Sequence, residues 1–293
     1  MAGAANDGPG VPLVLEPTLS QEDAQAVARA SISQVYSQVI SDLQVAKDML
    51  PEDNGVRAGT YTASAMLARV YLQQANYEGA RDEANRVIEE GIFGLNARFQ
   101  DAFNNDGVTS EDIFTIQQTS QNNAGSTNSG LATHYALSQR DDIVITQAYI
   151  DLFDDPNDAR ANFFDLDPNS GELYTRKWVD PFTNIPVIRL AEMYLIRAEA
   201  NQRLGTEVGD TPLNDINRLR NRANATPLVD VDLDDIILER RLELAFEGQR
   251  IHDLKRLQLP TDGFAFDAPE LVLPIPQREI DVSNGLLTQN PGY

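Results

Sequence analysis

The chain is 293 residues long and carries 45 Asp and Glu against 23 Lys and Arg, a formal net charge of −22. That balance excludes an electrostatic nucleic-acid binder, which needs a basic face to displace counterions, and argues against docking on an anionic lipid surface. The absence of Cys excludes disulfides, thiolate metal sites and thiol nucleophiles, and no apolar run approaches the roughly 18 residues of a membrane span.

With 42% hydrophobic residues there is ample material for a packed core. Lysine occurs only at Lys47, Lys177 and Lys255, so arginine supplies the other basic groups. A dense carboxylate surface of this kind fits a salt-loving source, or equally an acidic surface protein from ordinary conditions.

Residues 1–30 read as an extended segment. A Gly/Pro-rich opening without a secretory signal leads into Val11-Pro12-Leu13-Val14-Leu15, which suits the interior of a longer protein. Residues 31–100 are helical. Ile32, Val35, Tyr36, Val39, Ile40 and Leu43 recur at three- and four-residue spacing, Ser31 with Gln34 forms a capping box, and Pro51 ends the run. After the Asn54-Gly55 turn, Thr60–Gln74 and Tyr77–Glu90 form a pair. Ala68 and Ala80 sit where two antiparallel helices approach closely, with Tyr71 and Tyr77 beside them. That small-and-large pattern is tetratricopeptide-like, against the plainer reading of any helical hairpin.

Residues 101–187 change texture. Strand-like Asp112–Gln117 precedes the polar tract Thr119–Gly130, then come Asp/Pro/Asn-punctuated segments, as in long surface loops laid over a scaffold. From 188 onward helical order returns. One helix starts at Ile188 and ends near Gly205, a second is capped by Thr211-Pro212, and a third runs from Asp234 to a stop at Gly248. The tail from Phe264 to Tyr293 is Pro-rich and extended. The expected fold is mainly α, one continuous domain of tetratricopeptide-like hairpins with a loop-rich insertion at 101–187 and an extended C-terminal tail.

Chemistry is sparse. The only histidines, His134 and His252, lie in no nucleophile-elbow sequence, and no glycine-rich phosphate loop is present. No enzyme is expected. A two-carboxylate glycosidase stays open because 45 acids always contain some workable pair, but nothing singles one out. No cofactor is called for, with one calcium candidate: Asp165, Asp167 and Asn169 have the D-x-D-x-N spacing of a calcium loop. Its glycine falls one place late at Gly171 and position twelve is Arg176, so an Asp/Asn turn competes with it. Trp178, Tyr174, Tyr135 and His134 are the candidate ligand residues, since aromatic planes on a loop stack on the C–H face of a sugar ring. Trp178 either stacks so or fills the core beneath the loops. The cluster Glu239-Arg240-Arg241, Glu243, Glu247, Arg250, Asp253 and Arg256 reads as a network of Arg–carboxylate forks.

That cluster also carries a family resemblance. Ile236–Arg250 followed by Asp253-Leu254-Lys255-Arg256 closely resembles the signature of the SusD/RagB family. Arg189–Ala200, Ile216–Ala223 and the ending Leu273-Pro274-Ile275-Pro276 with Gln289-Asn290-Pro291-Gly292-Tyr293 resemble its other characteristic stretches, and His252 stands where an aromatic ring is commoner. The resemblance covers nearly the whole chain and looks like the C-terminal portion of such a protein, without the lipoprotein signal and anchor. It implies a surface-exposed outer-membrane lipoprotein that binds oligosaccharides or other nutrients for a SusC-like TonB-dependent transporter, without bond-making. The competing reading is a helical-repeat adaptor that binds protein and no sugar.

Overall fold

The computed structural model describes residues 8–20, 26–124, 130–261 and 263–293. The first seven residues of the glycine-rich opening, and residues 125–129 of the polar tract, lie outside the described residues. The residues gather into two compact units, a smaller one of 1–45, 73–75 and 251–293 and a larger one of 46–72 and 76–250.

In the smaller unit, strand β1 (Pro9–Pro12) pairs antiparallel with β2 (Arg29–Ser31), which runs into helix α1 (Ile32–Met49). The capping box is formed: the Gln34 amide donates to Ser31 Oγ at 3.1 Å, and the Ser31 amide donates to Gln34 Oε1 at 2.9 Å.

The larger unit opens with the hairpin α2 (Thr60–Gln73) and α3 (Tyr77–Glu89). Asn76 caps α3 by accepting from the Gly79 amide at 3.1 Å. Ala68, Ala80 and Ala84 are fully buried, and a Cβ at Gly79 would come within 2.8 Å of the Tyr71 ring. Small side chains therefore set the helix separation, as the tetratricopeptide-like pattern requires. Next come β3 (Asp112–Ile116), the short helices α4 (Leu131–Tyr135) and α5 (Gln147–Ile150), and the hairpin β4 (Phe164–Leu166) with β5 (Leu173–Thr175). Then β6 (Ile185–Arg189) pairs antiparallel with β3, Asp112 opposite Arg189.

Two boundaries differ from the helical spacing. Ile188 lies in β6, because the ladder with β3 holds Arg189 extended, and helix α6 (Leu190–Leu204) starts only after it. Eleven of its fifteen residues are buried, so α6 has no solvent face and acts as the axis on which α3, α7 (Pro212–Arg222) and α8 (Leu233–Glu243) pack. Helix α8 is capped by Asp232 and Asp235 and ends at Glu243, well short of Gly248. Phe246 takes a left-handed φ of 64°, and its carbonyl accepts the Trp178 Nε1–H at 2.9 Å. A side chain from the insertion thus holds the turn that ends the helix, a long-range cause that local spacing does not carry.

The smaller unit resumes with α9 (Arg250–Arg256) and α10 (Gln277–Val282), the second a helix in the segment expected to be extended. Its Pro-rich tail is tied down by side chains. Gln289 exchanges two hydrogen bonds with the Ile275 backbone, Asn290 Nδ2 donates to Leu273 O at 2.8 Å, and the Tyr293 hydroxyl donates to Val272 O at 2.9 Å.

The forks read from the sequence form a buried network in the larger unit. Arg189 reaches Glu111 at 2.5 Å, Glu243 at 3.1 Å and Glu247 at 2.7 Å. Arg222 joins Glu111 at 2.5 Å and also Glu243. Arg160 grips Asp158 and reaches Glu239 at 2.5 Å, Arg220 meets the other oxygen of Glu239, and Lys177 donates to Glu247 at 2.6 Å. Five cations meet five carboxylates, so the cluster is neutral as a whole. Burial by itself raises the Glu243 carboxyl, but Arg222, Arg189 and Arg160 hold it well below the usual carboxylate range. Burial likewise raises Glu192, yet Arg69 and Arg240 bring it down to about 2.

Removing one member leaves its partners buried and unpaired. Glu243→Ala is expected to cost about 3–5 kcal/mol, read as a lower urea midpoint by circular dichroism. Asp101→Ala, which breaks the exposed Arg98–Asp101 pair, should leave that midpoint within error.

Candidate functional site

The four aromatic candidates do not converge on a platform. Trp178 is only 6% exposed, packed edge-on against Phe103 and grouped with Phe99, Ala102 and Ala223. Tyr135 belongs to the same cluster and meets Phe246 edge-on. Tyr174 is buried, its hydroxyl donating to Glu172 at 3.0 Å. His134 is half-exposed, with Nδ1 2.9 Å from the Asp142 carboxylate, itself paired with Arg140. Of the two readings of Trp178, its burial fits the core one: as the single Trp beneath long loops, it buries its ring and satisfies its N–H on the Phe246 carbonyl.

The residues of the calcium candidate form a turn that bonds to itself. Asp167 accepts from the Asn169 amide at 2.9 Å and the Ser170 hydroxyl at 2.8 Å, while Asp165 faces Arg176 at 3.6 Å. Its oxygens cap their own loop, and among the described residues no group of three or more His, Asp or Glu is placed to hold a metal ion.

A cleft of about 400 Å³ opens elsewhere in the larger unit. Three segments build it: the turn before α2, the stretch after α3, and the loop leading into β3. The turn is rigid for its size. Gly55 sits at φ 62°, its amide donates to Asp53 Oδ1 at 2.9 Å, and Asn54 Nδ2 donates to Ala58 O at 2.8 Å. The other two segments are stitched by the Gly94 amide on Ser110 O at 2.9 Å. Thr62 of α2 donates to Ile113 O at 3.1 Å, joining helix to strand under the floor.

Its lining is amphipathic. Half-buried Phe93 and Phe114, with exposed Val56, Ile92 and Val108, give apolar walls, and Phe93 is fixed edge-to-face on Tyr61 at 6.1 Å. Asn54, Thr109, Ser110 and Thr115 also line it, their amide and hydroxyl groups already bonded within the fold: Asn54 to Ala58 O, Thr109 and Ser110 to the Asn96 side chain, and buried Thr115 to Gln117. Asp112 is 6% exposed. Its Oδ2 accepts from the Thr109 amide at 2.7 Å, its buried Oδ1 has no hydrogen-bond partner among the described residues, and burial raises its carboxyl above the usual value. A concave surface of this volume, apolar with a few fixed polar groups, has the make-up of a small-ligand site. Sequence alone does not reveal it: the Asn54-Gly55 turn and the strand Asp112–Gln117 are legible singly, but nothing in their spacing brings them together.

Comparison with known proteins now bears on the whole chain. The SusD family profile matches residues 171–268, the stretch holding most of the buried network, and a second profile, "Starch-binding associating with outer membrane", matches residues 4–72. The chain belongs to the SusD/RagB family. The SusD-like protein P2 of Formosa agariphila is 29% identical over 341 residues, covering 92% of this chain and 67% of that protein. Starch-binding protein SusD of Bacteroides thetaiotaomicron is 39% identical over 127 residues, 39% of this chain and 22% of its own length. A solved structure from Bacteroides vulgatus superposes with a TM-score of 0.87 at 28% identity, covering 98% of this chain and 71% of its own. The mainly helical, tetratricopeptide-like fold is therefore that of the family, and among the described residues no helix is long and apolar enough to cross a membrane.

Two outcomes test this placement of residues. Trp178→Ala should destabilise the protein by about 3–5 kcal/mol in chemical denaturation, the cost of an emptied core site. For Asp112 the folded pKa lies above the unfolded value, so the ionised carboxylate opposes folding at neutral pH. The stability of Asp112→Asn relative to wild type, read by calorimetry, should therefore rise from below pH 3.8, where wild-type Asp112 is neutral in both states, to pH 7, where it is ionised.

Proposed function

We propose that the chain is a surface nutrient-binding protein that captures oligosaccharides in this cleft and delivers them unaltered to a SusC-like TonB-dependent transporter of the outer membrane. The observation that carries the reading is the pairing, within about 400 Å³, of the Phe93 and Phe114 rings with a row of hydroxyl and amide groups. A sugar ring has the complementary surface, a C–H face beside hydroxyls. Membership of a family whose profile is described as starch-binding and outer-membrane-associating, and likeness to a protein named starch-binding, support the ligand class and the location.

The cleft supports binding over hydrolysis. A glycosidase needs a protonated carboxyl poised on the glycosidic oxygen, opposite a second carboxylate. Asp112, the lining acid with a raised pKa, has one oxygen tied to the Thr109 amide and the other buried, so it cannot reach a bound sugar.

Isothermal titration against maltoheptaose, laminarihexaose and cellohexaose tests the reading. At least one should give saturable heat, and Val108→Lys, placed on the 52%-exposed lip, should weaken it about tenfold with unfolding behaviour unchanged. No heat with any glycan would overturn the reading in favour of a protein-binding adaptor, and reducing-sugar release would overturn it in favour of an enzyme.

A further inference from the structure

The charges around the cleft are one-sided. Of its lining residues, Glu52, Asp53 and Asp112 are acidic and Arg57 alone is basic. Glu52 and Asp53 are exposed at the mouth, on the turn preceding α2, and Asp53 is held in place there because its Oδ1 accepts from the Gly55 amide. The surplus matches the chain as a whole, whose net charge is −22. The buried network closes on itself with five cations against five carboxylates, so it lends no positive field to the surface. Asp112 has one oxygen on the Thr109 amide and the other buried, and the remaining polar side chains of the lining are neutral amides and hydroxyls, whose chemistry suits sugar hydroxyls without demanding a charge.

We infer that the cleft is selective for uncharged oligosaccharides, with Glu52 and Asp53 acting as the element that rejects uronic-acid and sulfated glycans. The inference rests on the cleft reading above and deepens it. A ring carboxylate or sulfate seated against Phe93 and Phe114 would share the cleft with the two mouth carboxylates, with one arginine to offset them. Like charges in one cleft are repelled strongly when partly shielded from water and weakly when salt screens them. Selectivity of this origin has a signature that shape alone cannot produce. Affinity for an anionic glycan rises with ionic strength, whereas affinity for its neutral counterpart does not.

The test uses matched probes, so that shape is constant and charge varies. Each neutral oligosaccharide that binds is titrated beside the same oligosaccharide oxidised at C6 to the uronate, in 20 mM and 500 mM NaCl. The neutral probe is expected to bind at least tenfold tighter in low salt, the gap narrowing several-fold in high salt. The double variant Glu52→Gln/Asp53→Asn should narrow the low-salt gap by threefold or more with the unfolding midpoint unchanged, since the carboxamide introduced at position 53 still offers an oxygen to the Gly55 amide. Equal or tighter binding of the oxidised probe in low salt, or a gap indifferent to both salt and the double variant, would overturn the selectivity while leaving the cleft as the binding site. No heat with any neutral probe would remove the cleft reading itself, and this inference with it.

Discussion

The structure depends on a neutral knot of charge sealed inside the larger unit. Arg189, at the junction of β6 and α6, holds Glu111 before β3, Glu243 at the end of α8 and Glu247 beyond it, and Arg222 at the end of α7 closes the ring through Glu111 and Glu243. Each of these groups would be costly to bury alone, and each is tolerable because its partners come from different elements. Several residues that mark the family in sequence thus take their partners from distant elements. Their chemistry is structural, and it specifies a single arrangement of β3, β6, α6, α7 and α8.

That arrangement reaches the cleft through one peptide bond. Glu111 is locked into the network, and Asp112, the next residue, lies at the cleft and in register with Arg189. Thr62, on the other wall, is bonded to the Ile113 carbonyl. The half-buried ring of Phe114 therefore projects from a strand whose preceding residue is anchored by two arginines. A binding surface built this way is preorganised, which favours recognition by limiting the ordering that a ligand must otherwise impose.

Much of the fold is legible because helices announce themselves locally. The apolar spacing of α1, the alanines of α2 and α3, the Thr211-Pro212 start of α7 and the Ser31–Gln34 box all act within a few residues. What fails to show depends on distant partners. The end of α8 is set by Trp178 reaching Phe246, and the strand at Ile188 exists because β3 lies beside it. The same reason hides the site. Three segments separated in the chain make the cleft, whereas the aromatic residues of the insertion, conspicuous in sequence, are mostly packed inward.

The fate of Trp178 changes what the loop-rich insertion is for. An insertion carrying exposed aromatics would be a grip, free to vary with its cargo. Here the insertion supplies Arg160 and Lys177 to the charge network, Trp178 to the turn after α8, and Phe163 to the same aromatic cluster as Phe99 and Phe103. These parts of it belong to the scaffold, whereas residues 108–110 and 112–115 near its start line the cleft, and loss of the insertion would leave Glu239, Glu247 and the Phe246 carbonyl without these partners. On the proposed function, selection for cargo would fall on surfaces whose side chains are not committed elsewhere, and the exposed turn at 52–57 meets that condition: its conformation is maintained by Asn54, Gly55 and the Asp53 oxygen, leaving Glu52, Val56 and Arg57 able to change without loss of the fold.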